Sequence, residues 1–200
     1  MPVTKVETRQ SILDTAQQLV ARKGFTAVGL NEVLAESGVP KGSFYYYFSS
    51  KNAFGEAMLK SYFDAYLTTM DRIFTEADKS SAERLMGYWG HFHATQSVDE
   101  CQGRCLVVKL GTEVADLSEL MRIALKEGTT AIVDRVERMI VSGVADGSLS
   151  VDANPRIAAE ALYDAWLGAS VMAKVHRSPG PPRPCDDGHP SRPPSLSFPA

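Results

Sequence analysis

Hydrophobic positions recur along this chain at helical spacing. Ile12, Leu13, Ala16, Leu19 and Val20 share one side of a first helix, which Gly24 closes. Val33, Leu34 and Ala35 make the buried side of a shorter helix whose wet side is Glu32 and Glu36, with Asn31 as its expected N-cap. Phe54, Met58, Leu59, Tyr62, Phe63, Tyr66, Met70, Ile73 and Phe74 mark one long helix. Further helices are expected near 82–97, 104–115, 118–143 and 155–176, the last opened by Asn154 and Pro155 in the N-cap and N1 positions. The pattern predicts an all-α chain, a three-helix N-terminal part joined to a helical bundle.

The aromatic run at 44–48 is the one stretch that could equally be a buried strand. Its flanks decide for a helix. Gly38 stands where the chain must reverse within a few residues, and glycine takes a positive φ without steric cost. Pro40 then fixes φ near the helical value at a place where its missing N–H is no loss, so a second helix can start there. On that helix Phe44 and Phe48 share an inward face. Gly42, Ser43 and Tyr46 point roughly 160 to 260 degrees away from Phe44, and Tyr45 and Tyr47 lie on the flanks. Residues 26–51 therefore read as two short helices around a tight turn, the second basic and tyrosine-rich: a helix-turn-helix that can enter a DNA groove.

The stretch VPKGSFYYYFSSKNAFGEAML resembles the recognition helix and following linker helix of TetR-type transcriptional repressors. The resemblance covers roughly residues 6–66 and rests on Gly24-Phe25, Gly38-Val39, Gly42, Tyr45 to Phe48 and Lys51 in that order. It implies that Lys41, Ser43, Tyr45, Tyr47 and Lys51 contact phosphates or the groove edge, and that Asn31, Gly42 and Tyr46 lie near base edges. Two positions depart from the family. Leu30 stands where Thr is frequent, and Pro40 where Ser or Thr commonly caps the recognition helix, so two hydroxyl contacts to the DNA backbone are missing.

With 200 residues and 44% apolar content the chain can bury a substantial core. Its net charge of −3 is unevenly divided. Residues 1–60 hold seven Lys/Arg against five Asp/Glu, and the remainder fourteen against nineteen, so the modest basic excess lies at the DNA-facing end. There is no signal-peptide pattern and no uninterrupted apolar run of about 20 residues, so a cytoplasmic location without membrane association is expected. The expected organisation is a DNA-binding domain over 1–50, a helical linker, sensor and dimerisation domain over 51–177, and a tail over 178–200. Eight of the eleven prolines lie in that tail, and disorder is expected there. In TetR-type proteins the last two helices usually form the dimer interface. Here the first of that pair carries Tyr163, Trp166, Leu167, Ser170, Val171 and Lys174 on or beside one stripe, and the tail stands where the second would be.

Three cysteines in such a protein are not a disulfide framework. Cys105 has Arg104 beside it and Lys109 four residues on, and nearby cations favour the reactive thiolate. Cys101, one turn away, is a possible resolving partner, and Cys185 lies in the tail. Lys174 is expected to face Cys105 from the last helix. The segment GRCLVVKLGTEVADLSELMR resembles the sensor of a TetR subgroup, of the NemR and AcuR kind, that answers electrophiles or small unsaturated acids. It implies that Cys105 is the reactive thiol. A metal-responsive alternative would use His91, His93, Cys101 and Cys105 as ligands, but histidines two apart on a helix point about 200 degrees apart. A helical zinc enzyme is a weaker alternative, since no HExxH, paired CxxC, phosphate loop or nucleophile elbow is present. The expectation is thus a homodimeric repressor, not an enzyme and without cofactor or metal, that binds a double-stranded operator and is released by a small-molecule inducer, an electrophile, oxidant or unsaturated compound, acting at or near Cys105.

Overall fold

The computed structural model describes residues 4–96, 105–176 and 196–197. Its helices are α1 (Lys5–Lys23), α2 (Leu30–Glu36), a 3₁₀ turn (Lys41–Ser43), α3 (Phe44–Tyr47), α4 (Lys51–Phe74), α5 (Ser81–Gln96), α6 (Leu106–Ala115), α7 (Glu119–Ala145) and α8 (Pro155–His176). Two residue pairs form a minimal antiparallel ladder, Ser150 with Ser197 and Val151 with Leu196. The all-α architecture expected from periodicity is the one observed, and among the described residues no helix is long and apolar enough to cross a membrane. The tail expected over 178–200 lies outside the described residues apart from Leu196–Ser197.

Contacts group the chain into two compact units, one drawn from Met1–Ala65 and Arg104–Gly128, the other from Tyr66–Gly103 and Thr129–Ala200. These units do not follow chain order: α6 and the start of α7 belong with the N-terminal helices rather than with the rest of the bundle.

The first unit is built on α1. Thr4 caps it in a reciprocal box, its hydroxyl accepting from the Glu7 N–H while the Glu7 carboxylate accepts from the Thr4 N–H at 2.7 Å. Ile12, Leu13, Ala16, Leu19 and Val20 are buried as their spacing requires. Close packing continues into α4 and α7. A Cβ at Gly55 would run into the Met121 sulfur and the Phe25 ring, and one at Gly128 would overlap the Phe63 ring. Glycine at those two places lets neighbouring helices approach more closely than any side chain would permit.

The second unit is centred on aromatic rings. Tyr88 is fully buried against Phe74 and Trp166, with ring centroids 5.4 and 5.5 Å away, and its hydroxyl meets that of Tyr66 at 2.7 Å. Trp89 stacks on Trp166 at 4.7 Å. Arg135 donates to both carboxylate oxygens of Asp71 at 2.7 and 2.8 Å, and this pairing holds the Asp71 carboxyl below its usual range. Arg156 ties Glu160, Asp134 and Glu137 together across α7 and α8. Asn154 caps α8 as its sequence implies, its side-chain oxygen accepting from the Arg156 N–H at 2.9 Å.

The stripe on α8 needs correction. Tyr163, Trp166 and Ser170 are buried in this unit, whereas the large apolar residues left exposed on α8 are Ile157, Val171, Met172 and Val175.

Candidate nucleic-acid interface

The reading head is assembled by a sequence of local backbone devices. Gly29, extended at φ −80° and ψ 140°, begins α2, and its carbonyl accepts from the N–H groups of Glu32 and Val33 at 3.1 and 3.2 Å. Asn31 is therefore inside the first turn and exposed, not the N-cap its residue type suggests. Ala35, expected on the buried side, is also exposed, leaving Val33 and Leu34 as the anchor of α2. Gly38 takes φ +70°, and Val39 N–H reaches back to the Leu34 carbonyl at 2.9 Å, the six-to-one bond that closes a helix with a left-handed residue.

Pro40 does not sit inside the next helix. At φ −56° and ψ 136° it stands just before a 3₁₀ turn, accepting from Ser43 N–H at 2.9 Å, and the α-helical turn begins only at Phe44. Phe48 accepts an extended conformation and ends it. Ser50 then caps α4, its hydroxyl taking the Ala53 N–H at 3.1 Å.

Two faces result. Phe44 is 3% exposed and lies 5.5 Å from both Phe48 and Phe54, while Phe48 and Phe54 are 4.9 Å apart. This triad fixes α3 on α4. On the opposite face Tyr45 is 75% and Tyr46 64% exposed, Lys41 and Gly42 are exposed, and Ser43 and Tyr47 are half-buried. Large exposed aromatics with polar tips on a single projecting turn suit the edge of a polar groove. Lys51 also makes contacts within the protein. Half-buried, it donates to the Val28 carbonyl at 3.4 Å and lies over the Phe25 ring at 5.1 Å.

Two cations that the sequence did not single out lie against rings of this segment. The Lys5 ammonium lies 4.1 Å from the Tyr46 ring centroid, and the Arg9 guanidinium 5.2 Å from that of Phe48. Their one-turn spacing on α1 is visible in the chain, but only tertiary packing brings that turn beside α3.

The candidate sensor residues lie on α6 and α8. Cys105 is the N-cap of α6, 5% exposed, and its carbonyl accepts from the Lys109 N–H at 3.2 Å. Lys109 is half-buried, and its charge acts on Glu113 one turn further on. Lys174, half-buried on α8, belongs to the second unit and Cys105 to the first. Arg104, Cys101 and Cys185 lie outside the described residues. His91 and His93 are half-buried on α5, and among the described residues no group of three or more His, Cys, Asp and Glu is placed to hold a metal ion.

Glu113 is the residue that sequence reading passed over. Its carboxylate accepts the backbone N–H groups of Phe25 at 3.2 Å and Thr26 at 2.6 Å, in the turn between α1 and α2. Burial pushes this carboxyl up, but hydrogen bonds from Thr26 and Phe25 and the Lys109 charge outweigh it and hold it below its ordinary value.

Comparison with known proteins agrees with this geometry. The model for bacterial regulatory proteins of the tetR family matches residues 12–58. That for the tetracyclin repressor-like C-terminal domain matches residues 81–185. The chain is 37% identical over 180 residues to the HTH-type transcriptional repressor NemR of Escherichia coli, covering 88% of each. It is 32% identical over 178 residues to the transcriptional regulator AcuR of Cereibacter sphaeroides, covering 86% of this chain and 78% of that protein. The crystal structure of reduced E. coli NemR superposes with a TM-score of 0.81 at 38% identity, covering 86% of this chain and 89% of that one.

Proposed function

Because this chain belongs to the TetR family of DNA-binding transcriptional regulators, we propose that it acts as a homodimeric repressor released from its operator when a small electrophile or unsaturated molecule engages the Cys105 region. The observation that carries the DNA-binding half is the separation of faces on α3, with Phe44 and Phe48 inward and Tyr45 and Tyr46 outward. Lys41, Ser43, Tyr45, Tyr47 and Lys51 would meet phosphates or the groove edge, and Gly42, Tyr46 and, from the first turn of α2, Asn31 would approach bases. Lys5, beside Tyr46, adds a charge at the same edge. Two-fold symmetry would set the two half-sites one or more duplex turns apart. The exposed Ile157, Val171, Met172 and Val175 supply apolar surface for pairing.

Cys105 is buried at the start of the ten-residue helix α6. With an electron-poor alkene, the sulfur forms a bond to one alkene carbon, the π bond breaks, and the thiol proton ends on the other carbon. A shift from 1:99 to 99:1 between binding and non-binding states needs about 5.5 kcal/mol, within reach of a covalent bond.

A gel shift on DNA upstream of the protein's own gene tests this reading. Wild type should retard the DNA, N-ethylmaleimide should release it, and Cys105→Ser should stay bound after treatment. Because Cys105 is 5% exposed, a compact alkene should modify it at least about tenfold faster, relative to a model thiol, than a bulky maleimide. Equal ratios for both reagents by mass spectrometry would show that the thiol is reached without any gating. Retention of the electrophile response in Cys105→Ser would remove the cysteine from the mechanism.

A further inference from the structure

We infer that Glu113 is a latch through which α6 acts directly on the DNA-reading head, by way of the turn between α1 and α2. The inference rests on the reading above in taking Cys105 as the point of modification.

The geometry is specific. Cys105 opens α6, and Glu113 lies eight residues on, about 12 Å along the axis at the helical rise. Leu106, Leu110 and Val114, one turn apart, are all buried, so the helix is held as a rigid strut and displacement of one end is carried to the other. At the far end the Glu113 carboxylate takes two backbone N–H groups of one turn, Phe25 and Thr26, partners 88 and 87 residues away in sequence. A charged acceptor spanning two adjacent amides fixes orientation as well as distance.

The turn is shaped for this contact. Gly24 has φ +86°, and a Cβ there would lie 2.7 Å from the Glu113 oxygen that Phe25 N–H also uses. The same turn carries Phe25, whose ring lies against Gly55 of α4 and beneath the Lys51 ammonium, and leads directly into Gly29, the cap of α2. A pull on Phe25 and Thr26 therefore reaches the helix-turn-helix without passing along α4. Those N–H groups, together with the Lys109 charge, offset the partial burial of the carboxylate, so α6 and the turn are expected to move as one.

The latch is a positioning device, and its test is a coupling measurement. Operator affinity is measured by fluorescence anisotropy on the upstream DNA, with and without N-ethylmaleimide, for the full-length wild type, Glu113→Ala, Glu113→Gln and Cys105→Ser. Wild type should lose affinity by at least about 50-fold on alkylation. Glu113→Ala should bind untreated DNA within about fivefold of wild type and lose less than about fivefold on alkylation. Glu113→Gln, which keeps one acceptor oxygen, should fall between. A purely structural role would lower treated and untreated affinity together and leave their ratio unchanged, and that result would overturn the latch. If wild type itself does not respond to the reagent, the Cys105 reading fails and the latch is read by another lever: Leu110→Ala loosens α6 without touching sulfur. Its effect on operator affinity should shrink in the Glu113→Ala background, whereas additive effects would refute the latch.

Discussion

Replacing Phe44 with alanine is expected to abolish specific operator binding and to destabilise the protein by about 3–5 kcal/mol, the usual cost of emptying a buried aromatic site. The ring is 3% exposed and touches Phe48, Phe54 and Tyr45, with centroids 5.3 to 5.5 Å away. The turn it anchors, Phe44–Tyr47, is four residues long, too short to be helical by itself. Without the ring, only the Phe48–Phe54 contact still ties this segment to α4, so the reading residues lose their common orientation before they meet DNA. Thermal denaturation followed by circular dichroism, paired with anisotropy on the operator, reads both losses. A variant that melts like wild type and still binds would show that α3 is positioned by something other than this triad.

Tyr46→Ala should give the opposite pairing of results. Tyr46 is 64% exposed, so truncation removes little buried surface, and the melting temperature should stay within a few degrees of wild type. Operator affinity should nevertheless fall steeply. A contact to a base edge contributes about 1–3 kcal/mol, and a two-fold dimer loses it twice, for a total of about 2–6 kcal/mol. Loss of the ring also frees the Lys5 ammonium now lying over it. Two residues apart in sequence, Phe44 and Tyr46 separate folding from recognition.

How much of this could be seen in the chain depends on whether the signal was local. Gly38 was legible because only a left-handed residue closes α2 that abruptly, and Phe44 and Phe48 because aromatic residues four apart share a side. The N-cap was misplaced because Asn31 is the better capping residue by type, whereas the chain enters α2 from buried Val28 and begins hydrogen bonding at Gly29. The place of Lys51 in the motif points to DNA, and nothing local shows that it also reaches the Val28 carbonyl and the Phe25 ring.

Glu113 was hidden for the same reason in stronger form. On an amphipathic helix a carboxylate two turns from a cysteine looks like an ordinary solvated residue, and nothing within α6 indicates that its partners are backbone amides of residues 25 and 26. The boundaries of the compact units were equally invisible. Helical periodicity locates α6 and α7 but does not show that α6 and the start of α7 pack with the N-terminal helices.

The central claim is that the exposed face of α3 reads duplex DNA in a two-fold arrangement. Hydroxyl-radical footprinting of wild-type protein on the DNA upstream of its own gene tests this most directly. The account predicts two protected patches on one face of the duplex, their centres separated by a whole number of turns of about 34 Å. A single unpaired patch, or uniform weak protection matching that on a scrambled duplex, would contradict it.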